Sequence, residues 1–236
     1  MLQLRTSASR GKSNFAWLDG YHSFSFGEYY DPNFMGFKSL RVINQDMIAP
    51  SKGFGMHPHK DMEILTYVIS GALEHQDSMG NQRTIQAGEL QYMCAGSGVR
   101  HSEFNASTTE PVHLLQIWLL PAKKNLSPAY AEWLPAESQK NTPLILLASS
   151  DGREHSLRIN QDALVFRGLL SAAAKQVYDI TPKRALWLQL ITGVVHVNGV
   201  TVTSGDGLAV LEEDKIELEA QTDSHYLLFD LAEINF

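Results

Sequence analysis

Cysteine is nearly missing from this chain. The 236 residues hold one, Cys94, so no intramolecular disulfide can form and a reduced compartment is expected. Positive charge is also scarce: 19 Lys and Arg stand against 26 Asp and Glu, for a formal net charge of -7. Basic residues do not run beyond adjacent pairs such as Lys123-Lys124. Without a basic face to displace counterions, direct binding to nucleic acid is not expected. No apolar stretch approaches the roughly 20 residues a membrane-spanning helix needs, and the first twenty residues carry no apolar run of signal-peptide length. The expectation is a protein of the cytoplasm with no membrane partner. Charged residues make up 19 % and hydrophobic ones 44 %, which argues against disorder and allows a real core.

Helical periodicity is almost absent as well. One short helix is expected over 126–134, "LSPAYAEWL", where Ser127 could cap and Pro128 could take the first helical position. Elsewhere short runs rich in Val, Ile, Leu and aromatics, such as "EILTYVIS" (63–70), "VHLLQIWLL" (112–120) and "ALWLQLITG" (185–193), are separated by Gly, Asn, Asp and Ser. The fold class is all-β, sandwich or barrel. An internal repeat is visible: "MEILTYVISGALEHQDSMGNQRTIQAGELQYM" aligns with "RALWLQLITGVVHVNGVTVTSGDGLAV", Gly71 over Gly193 and Gly88 over Gly205. The chain therefore reads as two tandem antiparallel β-barrel domains, 1–125 and 126–236, joined in the Pro-rich and polar segment 121–143. Which half the first strands pack on is left open.

Two pairs of residues carry chemistry. His57 and His59 flank Pro58 in "GMHPHKD", and His101 and Glu103 repeat the i, i+2 spacing in "RHSEF". Alternate strand residues share a face, with Cα atoms roughly 6.5–7 Å apart. If the two strands face each other inside a barrel, three imidazole nitrogens and one carboxylate oxygen converge, a donor set suited to a borderline divalent metal. Pro58 stiffens the pair and is tolerable at a strand edge. On residues alone a chance H-x-H pair stays open as the alternative. In the repeat, these positions land near Asp179, Thr181, Glu217 and Glu219, so a single metal in the first half is expected. His22, His113, His155, His196 and His225 read as isolated structural histidines. His75, close to Asp77, is a candidate for the cavity wall or a core histidine. Cys94 is not at ligand spacing and reads as a small buried residue.

"H-x-H-x3-E" (His57, His59, Glu63) followed by "G-x2-H-x3-N" (Gly98, His101, Asn105) resembles the paired motifs of the cupin superfamily. The spacing from Glu63 to Gly71 is one residue longer than the usual pattern, and "CAGSG" (94–98) lacks the usual proline. More closely, "WLDGYHSFSFGEYYDPNFMGFKSLRVINQD", "HPHKDMEILTYV", "HQDSMGN" and "AGSGVRHSEFN" resemble the pirins, in particular the bacterial pirin-like quercetin 2,3-dioxygenases. The resemblance runs over essentially the whole chain and is stronger up to about Leu120.

That resemblance implies a bicupin with two jelly-roll domains and one metal, in the N-terminal barrel, held by His57, His59, His101 and Glu103. Glu63 is then a structural or supporting residue rather than a ligand. Fe(II) is the first expectation for the ion, with Ni, Mn, Co, Cu and Zn as alternatives. The implied reaction is ring opening of a flavonol such as quercetin by O2 with release of carbon monoxide, Glu103 serving as base. A different class of function is a metal-dependent regulator that binds a protein partner. The aromatic segment 23–37 could be barrel cover, cavity wall or partner surface.

Overall fold

The computed structural model describes residues 1–233. Among them there is no α-helix, only three-residue 3-10 turns at Ser7–Ser9, Glu137–Gln139 and Arg153–His155. None of their helices is long and apolar enough to cross a membrane. Two β units are present, each made of a seven-stranded and a four-stranded sheet. In the first, the large sheet runs in spatial order Ala129–Trp133, Leu90–Cys94, Glu63–Ser70, Val112–Leu119, Leu40–Ile48, Leu18–His22, Gly11–Phe15, and the small one Gly53–His59, Val99–Asn105, Ala72–Asp77, Gln82–Gln86. In the second, the large sheet runs Leu2–Arg5, Gly207–Val210, Arg184–Thr192, Ser224–Ala232, Ala163–Leu170, Leu144–Ser149, Leu157–Arg158, and the small one Lys175–Asp179, Lys215–Ala220, Val194–Val197, Val200–Thr203. The repeat glycines hold matching places. Gly71 and Gly193 have φ of +78° and +99° in equivalent hairpins, and Gly88 and Gly205 both have φ of +85°, conformations that glycine adopts without steric cost.

Two strands lie across the division expected at 125/126. Leu2–Arg5 pairs with Gly207–Val210 in the second unit's sheet, and Ala129–Trp133 pairs with Leu90–Cys94 in the first's. The latter also corrects the helix expected over 126–134. The edge of Leu90–Cys94 offers unpaired N–H and C=O groups that a neighbouring strand satisfies. Pro128 stands just before the strand, where its missing N–H costs nothing.

The parity of the strands explains the long apolar runs. In the first unit's large sheet, Ile43, Leu65, Tyr67, Leu115 and Ile117 join one buried cluster with Trp187, Leu227 and Phe229 of the second unit. Residues of opposite parity, such as Ile48, Val68 and Leu114, turn inward and pack on Leu73 and Ile85 of the small sheet. The large sheets are thus covered on both faces, which demands near-continuous hydrophobic strands. The second barrel is filled by Leu186, Leu188, Leu190, Val195, Val202, Ile216, Leu218 and Leu228. Segment 23–37 serves two ends: Phe24 and Phe37 pack on Trp187 with ring centroids 4.7 and 5.6 Å away, while Phe26 and Tyr29 line a cavity of the first barrel.

Candidate metal centre

Gly53–His59 is the edge strand of the small sheet, the location where Pro58 is tolerated. It pairs antiparallel with Val99–Asn105, placing His57 opposite His101 and His59 opposite Val99. The register shifts between His101 and Glu103, and Gly55 lies in the shifted stretch. Its carbonyl accepts the Nδ1–H of His57 at 2.7 Å. That contact fixes the tautomer and leaves His57 Nε2 with its lone pair free. The rings of His57, His59 and His101 stand 4.4–4.8 Å apart between centroids, and their nitrogens lie within 4.8 Å of one another. Glu103 falls in a second such triad, with His75 and His101. His101 is the shared member.

His75 settles the orientation of His101. The Gln91 side-chain amide donates to His75 Nδ1 at 3.0 Å, so that nitrogen is an acceptor and Nε2–H points to Asp77 Oδ2 at 3.4 Å. His101 Nδ1 lies 3.5 Å from His75 Nδ1 and must supply the proton between them. His101 Nε2 is then a bare acceptor, and it is buried without any partner. Burial works against ionisation of Asp77, but hydrogen bonds from Asn81, His75 and Met79 outweigh it and hold the carboxyl below its ordinary value. The chain Asp77–His75–His101 is the carboxylate–imidazole support common behind metal-binding histidines.

Glu103 is buried and held at both oxygens. Thr66 Oγ1 donates to Oε1 at 3.3 Å, and Gln116 Nε2 donates to Oε2 at 2.7 Å. These donors belong to one row across the large sheet: His22 opposite Asn44, Asn44 opposite Gln116, Gln116 opposite Thr66, Thr66 opposite Gln91. Every member is polar on a face where, Asp46 apart, the adjoining row through Gly20, Leu114 and Val68 is apolar. The row buttresses Glu103 and His75 from across the barrel. In the sequence its signal is a single polar residue inside each of several apolar strands, a pattern that spacing along one strand does not reveal.

The electrostatics of the site disfavour charge on His59 and His101. Burial pushes His59 down to about 3, with His101 and His57 adding to the effect. Burial and the neighbouring His57 and His75 push His101 to about 3 as well. Burial raises the Glu103 carboxyl against the opposing pull of the imidazoles and its two hydrogen bonds. Neutral imidazole is the form a cation requires. The unpartnered His101 Nε2, the freed His57 Nε2 and the N/O composition of the cage fit a divalent transition metal.

A cavity of about 760 Å³ opens on this cage, lined by His57, His59, Glu103 and Gln116 and walled by Leu18, Phe26, Phe54 and Trp118. Trp118 packs edge-on against His59 at 4.9 Å. His22, which reads as isolated in the sequence, lines the same cavity, bonded to Asn44 and Ser13 at 2.7 and 2.8 Å. His113 and His225 are structural as expected, bonded to Gln45 and Tyr67. Cys94 is buried and free. Glu63 lies outside both triads, and it bonds Tyr92 and Asn160 instead. Among the described residues, both triads are in the first barrel. In the matching strand of the second, the inward residues are Ile216 and Leu218.

Comparison with known proteins agrees with this architecture. A family model described as Pirin matches residues 3–119, and one described as Quercetinase C-terminal cupin domain matches residues 146–231. A quercetin 2,3-dioxygenase of Escherichia coli (strain K12) is 49% identical over 231 residues, 98% of this chain and 99% of that protein. A pirin-like protein of Caulobacter vibrioides is 40% identical over 224 residues, 94% of this chain and 96% of that one. The crystal structure of bacterial pirin YhhW from Escherichia coli in complex with nickel(II) superposes with a TM-score of 0.95 at 47% identity, covering 99% of this chain and 100% of that one. The chain belongs to the pirin family, as a two-domain cupin with a His/Glu cluster of the metal-binding kind.

Proposed function

We propose that this protein is a metal-dependent dioxygenase that opens the heterocyclic ring of flavonols such as quercetin. The observation that carries it is the cluster of His57, His59 and His101, with Glu103 close to His101, on an aromatic-walled cavity large enough for a flat polycyclic molecule. His57, His59, His101 and Glu103 would hold the ion. Fe(II) is our first choice, because N/O ligation with room for further ligands suits O2 chemistry; nickel(II), bound in the related pirin structure, is next. When bound, the ion supplies a Lewis acid that makes a neighbouring hydroxyl easier to deprotonate.

The protein's own groups do the rest. Leu18, Phe26, Phe54 and Trp118 sandwich the aromatic rings and exclude water. Glu103 accepts the proton of the flavonol 3-hydroxyl, within reach of the cage and steadied by Gln116 and Thr66. Overall, one flavonol and one O2 give a depside and carbon monoxide: the two oxygen atoms add at C2 and C4 and enter the depside, the C2–C3 and C3–C4 bonds break, and C3 leaves with the oxygen of its former hydroxyl. The unpaired thiol of Cys94 is consistent with a cytoplasmic setting.

The test is protein purified without added metal, analysed for its elements, then loaded and mixed with quercetin in air. Loss of the flavonol absorbance with stoichiometric carbon monoxide supports the proposal. Binding of metal with no turnover on any of the candidate ions overturns it in favour of a metal-dependent binding protein.

A further inference from the structure

One carboxyl on the cavity wall has no task within the fold. Asp46 lies two residues from Asn44 on Leu40–Ile48 and shares its inward face. The row through Asn44 is the polar one described above. The next row, Gly20 opposite Asp46, Asp46 opposite Leu114, Leu114 opposite Val68, is apolar except for Asp46. Asp46 is 4% exposed, and its Oδ1 has no hydrogen-bond partner. It nevertheless lines the cavity shared with His57, His59 and Glu103. Space is kept for it: a Cβ on Gly20 would lie 2.6 Å from Asp46 Oδ1. A buried carboxyl without a partner destabilises the fold, and leucine at this position would pack against Leu114 and Val68 at no such cost. The group is thus left with acceptor capacity on the wall of the cavity.

We propose that Asp46 is the substrate's second anchor: it hydrogen-bonds a phenolic hydroxyl remote from the one that faces the imidazole cage, so that the pocket selects polyhydroxylated aromatics over their bare counterparts. The proposal rests on the function proposed above. The geometry supports two-point recognition. Glu103 and Asp46 line one cavity from opposite sheets, and Phe26, Phe54 and Trp118 line it with them, so a flat ligand meets a carboxyl group from each sheet. A site that hydrogen-bonds a substrate hydroxyl rejects the analogue lacking it, because its own buried polar group is then left unpaired.

The experiment compares quercetin with 3-hydroxyflavone, which keeps the cage-facing hydroxyl and lacks the others. Binding is followed by tryptophan fluorescence on metal-loaded protein under argon, where no turnover occurs. Wild type should prefer quercetin. In Asp46→Leu that preference should fall by about tenfold or more, with metal content unchanged and Tm equal or higher. Asp46→Asn, which keeps shape and polarity, should fall between and serves if the leucine variant does not fold. An unchanged preference in either folded variant overturns the anchor, as does a wild type that binds both compounds equally. A wild type that binds neither overturns the flavonol proposal itself, and the anchor with it.

Discussion

Glu63 Oε1 accepts the backbone N–H of Asn160 at 2.6 Å, across 97 residues of sequence and from one β unit to the other. The same oxygen takes the Asn160 side-chain amide at 3.1 Å and the Tyr92 hydroxyl. Burial and this carboxylate raise the Tyr92 hydroxyl well above its ordinary value. The acid at the cupin-motif position thus ties the two units together and takes no part in the cage.

Glu63→Ala should accordingly destabilise the protein by about 3 kcal/mol, since three donors lose their acceptor in a buried site. Thermal or urea unfolding measures it. Metal stoichiometry of the folded variant should match wild type, and loss of the ion would show that Glu63 belongs to the centre after all.

Replacing His57, His59 or His101 with alanine should each drop bound metal from one ion toward none, read by elemental analysis after dialysis. Glu103→Ala should lower kcat by about 10²–10⁴ through loss of the base. Undiminished turnover with the ion still bound rules out that role.

His75→Phe preserves a buried ring but removes the acceptor that orients His101. Metal affinity should weaken by about 10–100-fold, measured by competition with a chelating dye. Gln91→Leu should act in the same direction and less strongly, because His75 keeps its bond to Asp77. Equal affinity in all three proteins would show that the His75–His101 contact does not position the ligand.

Acid should destabilise the metal-free protein. Burial holds His59 and His101 at about 3 and His225 at about 4, while the unfolded chain titrates near 6.5. The unfolded state therefore binds more protons below that value, and stability present above about pH 6.5 is lost as the pH falls toward 4. Asp46 works in the opposite sense. Burial, with Glu103 adding, holds its carboxyl up to about 7, so its penalty appears as pH rises from about 4, the unfolded value, to 7. Urea midpoints between pH 4 and 8 should fall on the acid side in wild type, and Asp46→Asn should gain most at pH 7 and above. A midpoint that rises steadily as the pH falls to 4 would contradict the histidine assignment.

Much of the molecule was open to reading from residue order alone. The glycine pairs 71/193 and 88/205 marked equivalent turns because left-handed backbone restricts the residue type at a turn. The i, i+2 spacing at His57/His59 and His101/Glu103 brought each pair to one face because strand side chains alternate. Helix over 126–134 was the wrong expectation because Ser-Pro also fits the start of a strand, and only the open edge of Leu90–Cys94 decides between them. His22 looked solitary because its partners Ser13 and Asn44 come from other strands.

Residue order was enough for the all-β class, the matching turns of the two units and the shared face of each candidate pair, because alternation and turn chemistry are local. Features built across strands needed the folded chain: the exchange of Leu2–Arg5 into the second sheet, the diversion of Glu63 to Asn160, the polar row behind Glu103 and His75, and the lone Asp46 on the cavity wall. Those depend on register and on which sheet faces which, and register is fixed by packing between segments far apart in the chain.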